Sequence, residues 1–477
     1  MEIIVINPFV STEPHFEEIG LITAYKSVLW DIQLYDLGFF QLVVAPTAEN
    51  LTWLKTGRFL CRADDVERYG SSAYYNNAMV IRNVTIEWNP DDGYMMTVTG
   101  RMIKDILNQR CIWNQISKEN VALNSLIGYD IMIQNVVDPR GYAQGIVDEI
   151  EDEKEDAEDD YTQAVEDRQN AYAAWQRAID DFGPDSSQAQ AAKEVYDAYV
   201  IAEEEALEAY NKVVDRWNKA IYNRSEQLGR EIPYTSAGVI DMQNPPRIDV
   251  QLHGEQIGDY IASVCEEHHF GWKVILSEND FSLGFVVGTD RSSSVIFSPE
   301  YDNLRNSTYT YSTDDYFNGA QVGGEGEGVD QVKVNIGDEE GIDRFEIYID
   351  ASALSQNKEA EEEDPEAVIS LEAYRKMLRQ YGKTELQQYN QQRHFSGEID
   401  PNGMFKIGTH YFLGDTVKFE DGVVSSKARL IEIIYSDEAD GFTTTATFEE
   451  VNTANSTSGS SSGGSSGDDD EEPFEIE

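Results

Sequence analysis

Basic residues are scarce in this chain of 477 residues, where 36 Lys and Arg stand against 89 Asp and Glu for a formal net charge of −53 at pH 7. Proteins that grip nucleic acid use clustered Lys and Arg, and contacts with acidic membranes rely on the same residues. The shortage of positive charge therefore argues against both functions. The overall field repels acidic polymers, which suits either simple solubility or a surface past which a polyanion moves without adhering.

Cysteine and long apolar runs are also scarce. The three cysteines, Cys61, Cys111 and Cys265, lie far apart and form neither a disulfide framework nor a paired zinc motif, which favours a reducing compartment. No apolar stretch approaches the roughly 20 residues that span a bilayer, and the first residues lack the basic region of a secretory signal. We expect synthesis in the cytoplasm and no membrane span.

Aromatic residues are plentiful, with 26 Tyr and 19 Phe, and together with Val and Thr they favour β-structure. The pattern predicts a β-rich domain over residues 1–135, with turns at Gly38 and at 89–93. Apolar residues at helical spacing predict a helix over 101–110. The strands predicted in this domain are 28–35, 39–44, 84–88 and 94–99.

Residues 136–236 are predicted to form an inserted helical hairpin. From about residue 147, Ala, Tyr and Trp recur at steps of three and four, and Gly183-Pro184-Asp185 interrupts the pattern once. Two amphipathic arms of about 36 to 40 residues, each on the order of 55 Å long, must cover each other's apolar stripe and so pack antiparallel. The aromatic stripe is interpreted as packing between the arms. Residues 147–224 carry 22 acidic and eight basic side chains, a net charge of −14.

The second half of the chain is predicted to hold two further domains and a tail. Residues 237–300 form an α/β domain, 301–450 form a second β-rich domain with an acidic linker near 355–367, and the Ser/Gly-rich and acidic segment 451–477 is flexible. The predicted elements are helices at 257–270 and 371–378 and strands at 272–275, 281–287, 307–312, 344–349, 415–419, 428–435 and 443–448.

Two motifs hold residues of the types found in sites of chemistry. The glycine loop Gly323–Gly328 carries two glutamates and lacks the Lys-Ser/Thr of a phosphate-binding loop, which favours a turn or a rim loop. Cys265, His268 and His269 share one helical face and are of zinc-ligand type, but no fourth ligand is near, which favours a buried Cys with histidines at a helix end. The sequence predicts no catalytic, no cofactor-binding and no metal-binding residue, and no cofactor.

Several short motifs follow one another in a fixed order between about residues 20 and 450. The motifs are Trp30 and Tyr35 before Gly38-Phe39-Phe40, Thr99-Gly100-Arg101 before 107–110, Val295–Ser298 with Asn303-Leu304, Asn318–Gly324, Arg344–Asp350 and Leu413–Val417. This order resembles the baseplate-hub, or tail-associated (Tal-like), proteins of siphophages. The long hairpin departs from the usual pattern of that family and resembles an insertion.

The resemblance implies an α+β, mainly β, hub-type fold with two β-barrel domains plus the inserted antiparallel helical hairpin. The barrels would be residues 1–135 and 301–450. Such hubs are homotrimers whose barrels form a ring of six that lines the channel for DNA ejection. The implied partners are a distal tail protein or tail tube above, tip, spike or receptor-binding proteins below and the tape measure protein within. DNA would pass through without specific binding, and the location would be the virion, at the tail tip.

The functional prediction is therefore a structural virion protein, a trimeric tail-tip hub that is not an enzyme. A tail-associated peptidoglycan hydrolase and a glycan-binding baseplate adhesin are the alternatives. Because the last predicted strand is followed by about thirty residues only, receptor binding and wall digestion are expected of partner proteins. The hairpin, the linker and the tail hold about half of the net charge, and −27 belongs to the remaining residues.

Overall fold

The structure is a computed structural model that describes residues 1–451 except 71, 92, 239–241, 243, 315, 327, 329, 357–368, 387–388, 390–391, 401–402, 421 and 423. The predicted acidic linker lies outside the described residues apart from Ser355 and Gln356, and so does the predicted flexible tail apart from Val451. The described chain is a mixture of α and β structure in which strand residues slightly outnumber helical residues.

The strands are β1 (Ile3–Asn7), β2 (Glu17–Ile22), β3 (Ser27–Gln33), β4 (Phe39–Val44), β5 (Phe59–Arg62), β6 (Val66–Tyr69), β7 (Ser72–Tyr75), β8 (Met79–Asn89), β9 (Gly93–Met102), β10 (Ile116–Ala122), β11 (Thr235–Ser236), β12 (Arg247–Leu252), β13 (Gly271–Leu276), β14 (Phe281–Val286), β15 (Ile296–Phe297), β16 (Leu304–Ser312), β17 (Gly319–Gly323), β18 (Lys333–Ile336), β19 (Glu346–Asp350), β20 (Gln392–Ile399), β21 (Thr416–Glu420), β22 (Ser425–Glu438) and β23 (Gly441–Glu450). The α-helices are α1 (Ala48–Trp53), α2 (Leu123–Ser125), α3 (Pro139–Phe182), α4 (Ser187–Glu226), α5 (Ile257–Glu267) and α6 (Leu371–Leu386). A π-helix spans Leu126–Val137, and short 3₁₀ helices span Ala63–Asp65, Ile103–Gln109, Pro299–Tyr301 and Gly341–Asp343.

One large sheet joins strands from both ends of the chain. Its order is β16-β20-β23-β22-β3-β4-β9-β8-β5-β1-β2, with β21 beside β22 and β15 beside β21. The junction is the antiparallel pair of β3 and β22, in which Gln33 lies opposite Glu432 and Val28 lies opposite Asp437. The pairings of the described strands trace an open path, so the two predicted β-barrels are not seen as closed barrels, whereas the β-rich character and the long helices are confirmed.

Alternation along the strands gives the large sheet one apolar face. In β3 the side chains of Val28, Trp30 and Ile32 are buried, while those between them are half-buried. The buried set packs with Phe40 of β4 and Phe448 of β23 in one hydrophobic core. Successive side chains of a strand point to opposite faces, and the second face of this sheet is therefore available for another role.

The predicted hairpins of the N-terminal half are confirmed. Gly38 has φ +55 and turns β3 into β4, and a Cβ there would lie 2.6 Å from the carbonyl oxygen of Asp31. The second hairpin is β8–β9. The helix predicted over 101–110 is shorter and is of the 3₁₀ type, because Arg101 and Met102 continue β9 and pair with β8. The predicted β-character up to residue 135 is also wrong at its end, where the π-helix buries Leu126 and Ile131.

The helical hairpin is confirmed as two long antiparallel helices. Asp138 caps the start of α3 by accepting a hydrogen bond from the Gly141 N–H at 2.8 Å, so α3 begins earlier than predicted. Gly183, with φ +86, ends α3, and Ser186 caps α4. Trp175 stacks on Tyr196 with ring centroids 5.4 Å apart, so the aromatic stripe packs the two arms together as predicted.

The predicted α/β segment 237–300 packs against the N-terminal strands. Helix α5 and the β13–β14 hairpin form as predicted, and α5 ends at Glu267 rather than at 270. The ammonium of Lys104, fully buried here, donates to the carbonyl oxygens of residues 33, 34 and 36 at 2.8, 3.1 and 3.1 Å. Trp272 lies beside it, 4.9 Å from Nζ to the ring centroid, and donates its Nε1–H to the Tyr35 carbonyl at 2.7 Å.

A separate small sheet, β18-β17-β19, interrupts the C-terminal strands of the large sheet. Its apolar side chains pack on α6, where Tyr374 and Leu378 are buried. Helix α6 runs to Leu386, beyond the predicted end at 378, because its apolar residues continue to meet this sheet: Gly382 comes against Val322. The segment from Gly319 to Leu386 thus has its own hydrophobic core.

Candidate functional site

The candidate site is the second, polar face of the large sheet over the eight consecutive strands from β16 to β8. A cross-strand row on this face runs over five strands, with each residue directly opposite the next: Gln33, Glu432, Thr447, Ser396 and Thr308. Further rows on the same face are Asp31, Ile434, Thr445 and Glu398, then Leu29, Gln41, Thr99 and Asn83, and then Ser27, Val43, Thr97 and Thr85. We call these four rows the polar face.

Carboxylates meet near the centre of the polar face. The amide Nε2 of Gln33 donates to both carboxylate oxygens of Asp31 at 3.2 Å and also to Glu432. Glu432 in turn accepts a hydrogen bond from the hydroxyl of Thr447. Burial raises the pKa of Asp31 to about 7, and the nearby charges of Glu432 and Asp36 add to that rise. At neutral pH this carboxyl therefore holds a proton for part of the time.

A second acidic group lies at one end of the polar face. The hydroxyl of Tyr35 donates to Glu449 at 3.1 Å and accepts from a guanidinium N–H of Arg429 at 3.1 Å. Burial raises the pKa of Glu266 to about 7, with repulsion from Glu449 and Asp36 as the further causes. Arg429 thus faces a tyrosine and a carboxylate rather than open solvent alone.

Neutral polar and acidic side chains prevail in the four rows of the polar face. Hydroxyls, amides and carboxylates occupy most positions of its rows, and a phosphate group finds there few of the Lys or Arg donors that hold phosphate. Two basic residues lie at the margins of these rows, Arg101 opposite Val80 of β8 and Arg305 opposite Glu398 of the second row.

Cys265, His268 and His269, the residues considered as a zinc site, lie at the C-terminal end of α5. Cys265 is buried in α5, His268 follows the end of this helix, and His269 turns away with φ +56. Burial lowers the pKa of His268. In the part of the chain that the structure describes, no three His, Cys, Asp or Glu side chains come together as a metal site. Cys265 is thus buried, and the two histidines follow the end of the helix.

The glycine loop Gly323–Gly328 begins at the last residue of β17, and residue 327 within it is not described. A Cβ at Gly324 would come within 2.5 Å of the Tyr374 hydroxyl, which accepts a hydrogen bond from the Glu325 N–H at 2.7 Å. The loop is thus packed on α6 at the margin of the small sheet, which agrees with the predicted rim loop.

A cavity of about 490 Å³ lies at the base of the helical hairpin, between β10, the π-helix, α3 and α4. Ion pairs cross its margins, Lys118 with Asp130 at 3.4 Å and Arg216 with Glu153 at 2.8 Å. Charges of both signs thus line the cavity and largely neutralise each other. Each helix in the described ranges is too short or too polar to traverse a bilayer.

Sequence reasoning proposed no residue of the polar face as a functional residue, although a local signal exists. In β23 the threonines 443, 445 and 447 alternate with the buried Ala446 and Phe448, and in β9 Thr97 and Thr99 alternate with Val98. A regular Thr at every second position predicts a strand with one neutral polar face. That signal does not tell which strands lie side by side. The order of strands depends on pairings between segments far apart in sequence, such as β3 with β22.

A family model matches the chain over most of its length. It belongs to the family of siphovirus ReqiPepy6 Gp37-like proteins, whose model matches residues 10–132 and 126–448. The resemblance to a siphophage tail family that the motifs carry is thereby confirmed. A comparison with curated proteins finds no match.

Solved structures of tail proteins are similar to the chain over nearly its whole length. The 43 kDa tail protein of prophage MuSo2 from Shewanella oneidensis has 9% identity and a TM-score of 0.45, covering 94% of this chain and 98% of that one. A tail protein from Neisseria meningitidis MC58 has 12% identity and a TM-score of 0.42, covering 94% and 96%. Prophage tail protein gp18 from Listeria monocytogenes EGD-e has 10% identity and a TM-score of 0.38, covering 95% and 96%. Similarity at this level does not specify a function.

Proposed function

We propose that the protein is a structural tail-tip hub of a siphophage, which joins the tail tube to the host-facing tip and lines the path of DNA during ejection. The polar face is the observation that carries this proposal. It extends over eight strands contributed by both ends of the chain, and its rows consist mainly of hydroxyl, amide and carboxylate groups. A conduit for DNA needs such a lining, because clustered Lys and Arg would retain the phosphates.

The hub is a homotrimer in this proposal. The N-terminal strands (residues 1–135) and the C-terminal strands (301–450) are the two tube-forming domains of each copy, and three copies offer six of them to a six-fold tube. Their direct junction through β3 and β22 supports this arrangement, because it sets the two sets of strands side by side in one continuous surface. Closure into barrels then requires neighbouring copies as well as residues of one chain.

The neighbours of the hub follow from its position. A distal tail protein or the tail tube lies above, tip, spike or receptor-binding proteins lie below, and the tape measure protein occupies the lumen before ejection. The helical hairpin (136–236), in which residues 147–224 carry a net charge of −14, and the α/β segment (237–300) lie outside the conduit. The protein is a virion component made in the host cytoplasm, and it acts by structure rather than by catalysis.

Light scattering coupled to size-exclusion chromatography tests the proposal, together with immunogold labelling of particles. We expect a homotrimer in solution and label at the tail tip alone. A protein that stays monomeric at every concentration, or that is absent from tails, contradicts the proposal. Clearing of purified cell walls by the isolated protein would favour the hydrolase alternative, and saturable binding to surface glycans that competes with adsorption would favour the adhesin.

A further inference from the structure

The cavity at the base of the helical hairpin borders an open strand edge. Residues 114–118, which lead into β10, all line this cavity. Successive side chains of a strand point to opposite faces, so a run of consecutive lining residues indicates that the edge of the strand borders the cavity. Strand β10 pairs with β12 on one side, and within the described ranges no strand adjoins its other side. An open edge of this kind can pair with an added strand.

Two polar groups at this edge are buried without a partner. The amide Nε2 of Gln115 and the hydroxyl Oγ of Ser117 are covered from solvent and make no hydrogen bond to a described residue. Buried polar groups in folded proteins are almost always hydrogen-bonded. An amide nitrogen can only donate, and a hydroxyl can donate once. A ligand that brings carboxylate or carbonyl oxygens therefore fits this side of the cavity.

The helical side of the cavity is apolar. Ile146 and Ile150 of α3 and Ala220 of α4 line it there, and Ile150 and Ala220 are buried together in a small hydrophobic cluster. The volume of about 490 Å³ lies in the range of sites that hold a ligand. The cavity thus has one apolar wall and one wall that offers hydrogen-bond donors.

The cavity is not acidic, unlike the chain as a whole. Asp130 at its margin pairs with Lys118 at 3.4 Å and brings the sum of the charges at the cavity to zero. In a chain with a net charge of −53, an acidic segment is repelled least at such a place. The charged lining residues are Lys118, Arg216, Lys219, Glu149 and Glu153.

Residues 473–477, which lie outside the described ranges, have a sequence that suits both walls. From Phe474 the sequence Phe-Glu-Ile-Glu alternates apolar and acidic side chains, which is the period of an extended strand. Pro473 precedes this run, and proline is tolerated at the first residue of a strand. As an added strand, the segment offers backbone groups to the edge of β10, carboxylates to the donors and apolar side chains to the helical wall.

The chain between β23 and this segment is long enough to reach the cavity. Glu449 of β23 lies 3.9 Å from His269, which follows α5. Helix α5 has 11 residues and is about 16 Å long. Leu252, five residues before α5, lies opposite Ile116 of β10, so the cavity is within on the order of 50 Å of Glu449. Residues 452–472 reach up to about 70 Å when extended.

We propose that residues 473–477 bind in this cavity of the same copy as a strand added to the open edge of β10. The Ser/Gly-rich residues 452–467 are the tether that permits this contact. The inference goes beyond the proposed hub and does not depend on it, because the cavity and the segment belong to one chain.

Hydrogen exchange measured by mass spectrometry on the full chain tests the contact. The native protein is compared with the double variant Phe474→Ala/Ile476→Ala, which keeps every charge of the segment. We expect the backbone amides of residues 114–118 to exchange about tenfold faster in the variant, because the added strand no longer protects them. The control variant Ser460→Ala/Ser465→Ala changes the tether alone and should exchange like the native protein. Equal exchange at 114–118 in the native protein and the Phe474→Ala/Ile476→Ala variant overturns the proposal.

Disulfide formation gives an independent test in a Cys111→Ser background, whose remaining cysteines are buried. Ser117→Cys combined with Glu475→Cys should form a disulfide within one chain under mild oxidation, because paired strands bring opposite Cβ atoms within bonding range. Thr162→Cys combined with Glu475→Cys is the control, since Thr162 is exposed on α3 whereas Ser117 is half-buried. Oxidation of the control pair at the same rate overturns the proposal, and a covalent dimer in place of the internal disulfide overturns the contact within one copy.

Binding of a labelled peptide with the sequence of residues 468–477 tests the chemistry of the cavity. We expect saturable binding to the Phe474→Ala/Ile476→Ala protein and about tenfold weaker binding to the native protein, whose own segment occupies the cavity. Lys219→Glu in the double variant should weaken peptide binding by about tenfold. Lys212→Glu is the matched control, because Lys212 is an exposed residue of α4 outside the lining. Equal losses for the two charge reversals, or no binding of the peptide to the double variant, overturn the proposal.

Discussion

Replacement of Lys104 by methionine tests the packing that fixes the end of β3 beside the polar face. The Lys104 ammonium is fully buried and donates to three backbone carbonyls at 2.8 to 3.1 Å. Methionine fills a similar volume but offers no donor. Hydrogen bonds from a charged donor contribute about 1.5 to 3 kcal/mol each, and relief from burying the charge offsets part of that loss. We expect the free energy of unfolding to fall by about 2 to 4 kcal/mol, the range typical of a broken buried polar network.

Urea unfolding followed by tryptophan fluorescence measures this loss, since Trp272 lies 4.9 Å from the ammonium. Lys193→Met is the matched control, because Lys193 is exposed on α4 and makes an i,i+4 ion pair with Asp197 at 2.6 Å. Such surface pairs contribute about 0.3 to 0.5 kcal/mol. A Lys104→Met protein that unfolds at the same urea concentration as the Lys193→Met protein would refute the role given to Lys104.

The pH dependence of the same variant gives a second test. Burial lowers the pKa of Lys104 to about 7, while the unfolded chain keeps this proton up to about pH 10. Between these values the unfolded state binds more protons, so the stability contributed by Lys104 rises with pH and is lost as pH falls through 7. The difference in unfolding free energy between the native protein and Lys104→Met should therefore grow from pH 7 to pH 10. A constant difference would contradict the buried position of the amine.

Four further results are expected. Asp31→Asn should reduce the fall in the free energy of unfolding that accompanies a rise in pH from about 4 to 7, because the raised pKa of Asp31 lets the folded state keep a proton that the unfolded chain has lost. An unchanged pH profile in urea titrations would contradict this. Asp415→Ala should lower the free energy of unfolding by about 3 kcal/mol, because it leaves the Arg291 guanidinium and the N–H of Thr289 without their carboxylate partner. A loss below about 1 kcal/mol would refute the role of this ion pair. Thr445→Arg should slow genome release from purified particles without lowering particle yield, because it sets a cation on the polar face; equal release rates would count against the conduit. Deletion of Val147–Tyr222 behind a short linker should leave the trimer intact by light scattering, because the hairpin lies outside the proposed conduit; loss of the trimer would contradict that placement.

Local structure followed from sequence wherever a local signal determines it. The turn at Gly38, the breaker Gly183-Pro184-Asp185 and the three- and four-residue spacing of α3 and α4 each act over a few residues, and all three predictions are confirmed. The 3₁₀ helix after β9 and the extension of α6 were missed because tertiary contacts decide them. Met102 is held in β9 by pairing with Met79, and Gly382 of α6 comes against Val322 of the small sheet.

The polar face could not be located from sequence for a different reason. Its rows depend on pairings between residues about 400 positions apart, such as Gln33 with Glu432, and no propensity encodes such a partner. The burial of Lys104 could not be predicted for the same reason. Lys104 stands among apolar residues as a polar position that would face water in an isolated helix. Only the approach of Trp272 and of the carbonyls at the end of β3 makes it a buried donor.

Electron cryo-microscopy of assembled tails measures the central claim most directly. The account predicts three copies of the chain in a closed ring at the tail tip, with Gln33, Glu432 and Thr447 of every copy facing the lumen and the helical hairpin on the outside. A ring in which these side chains face outward, or a tail tip in which the chain is a peripheral monomer, would contradict the account.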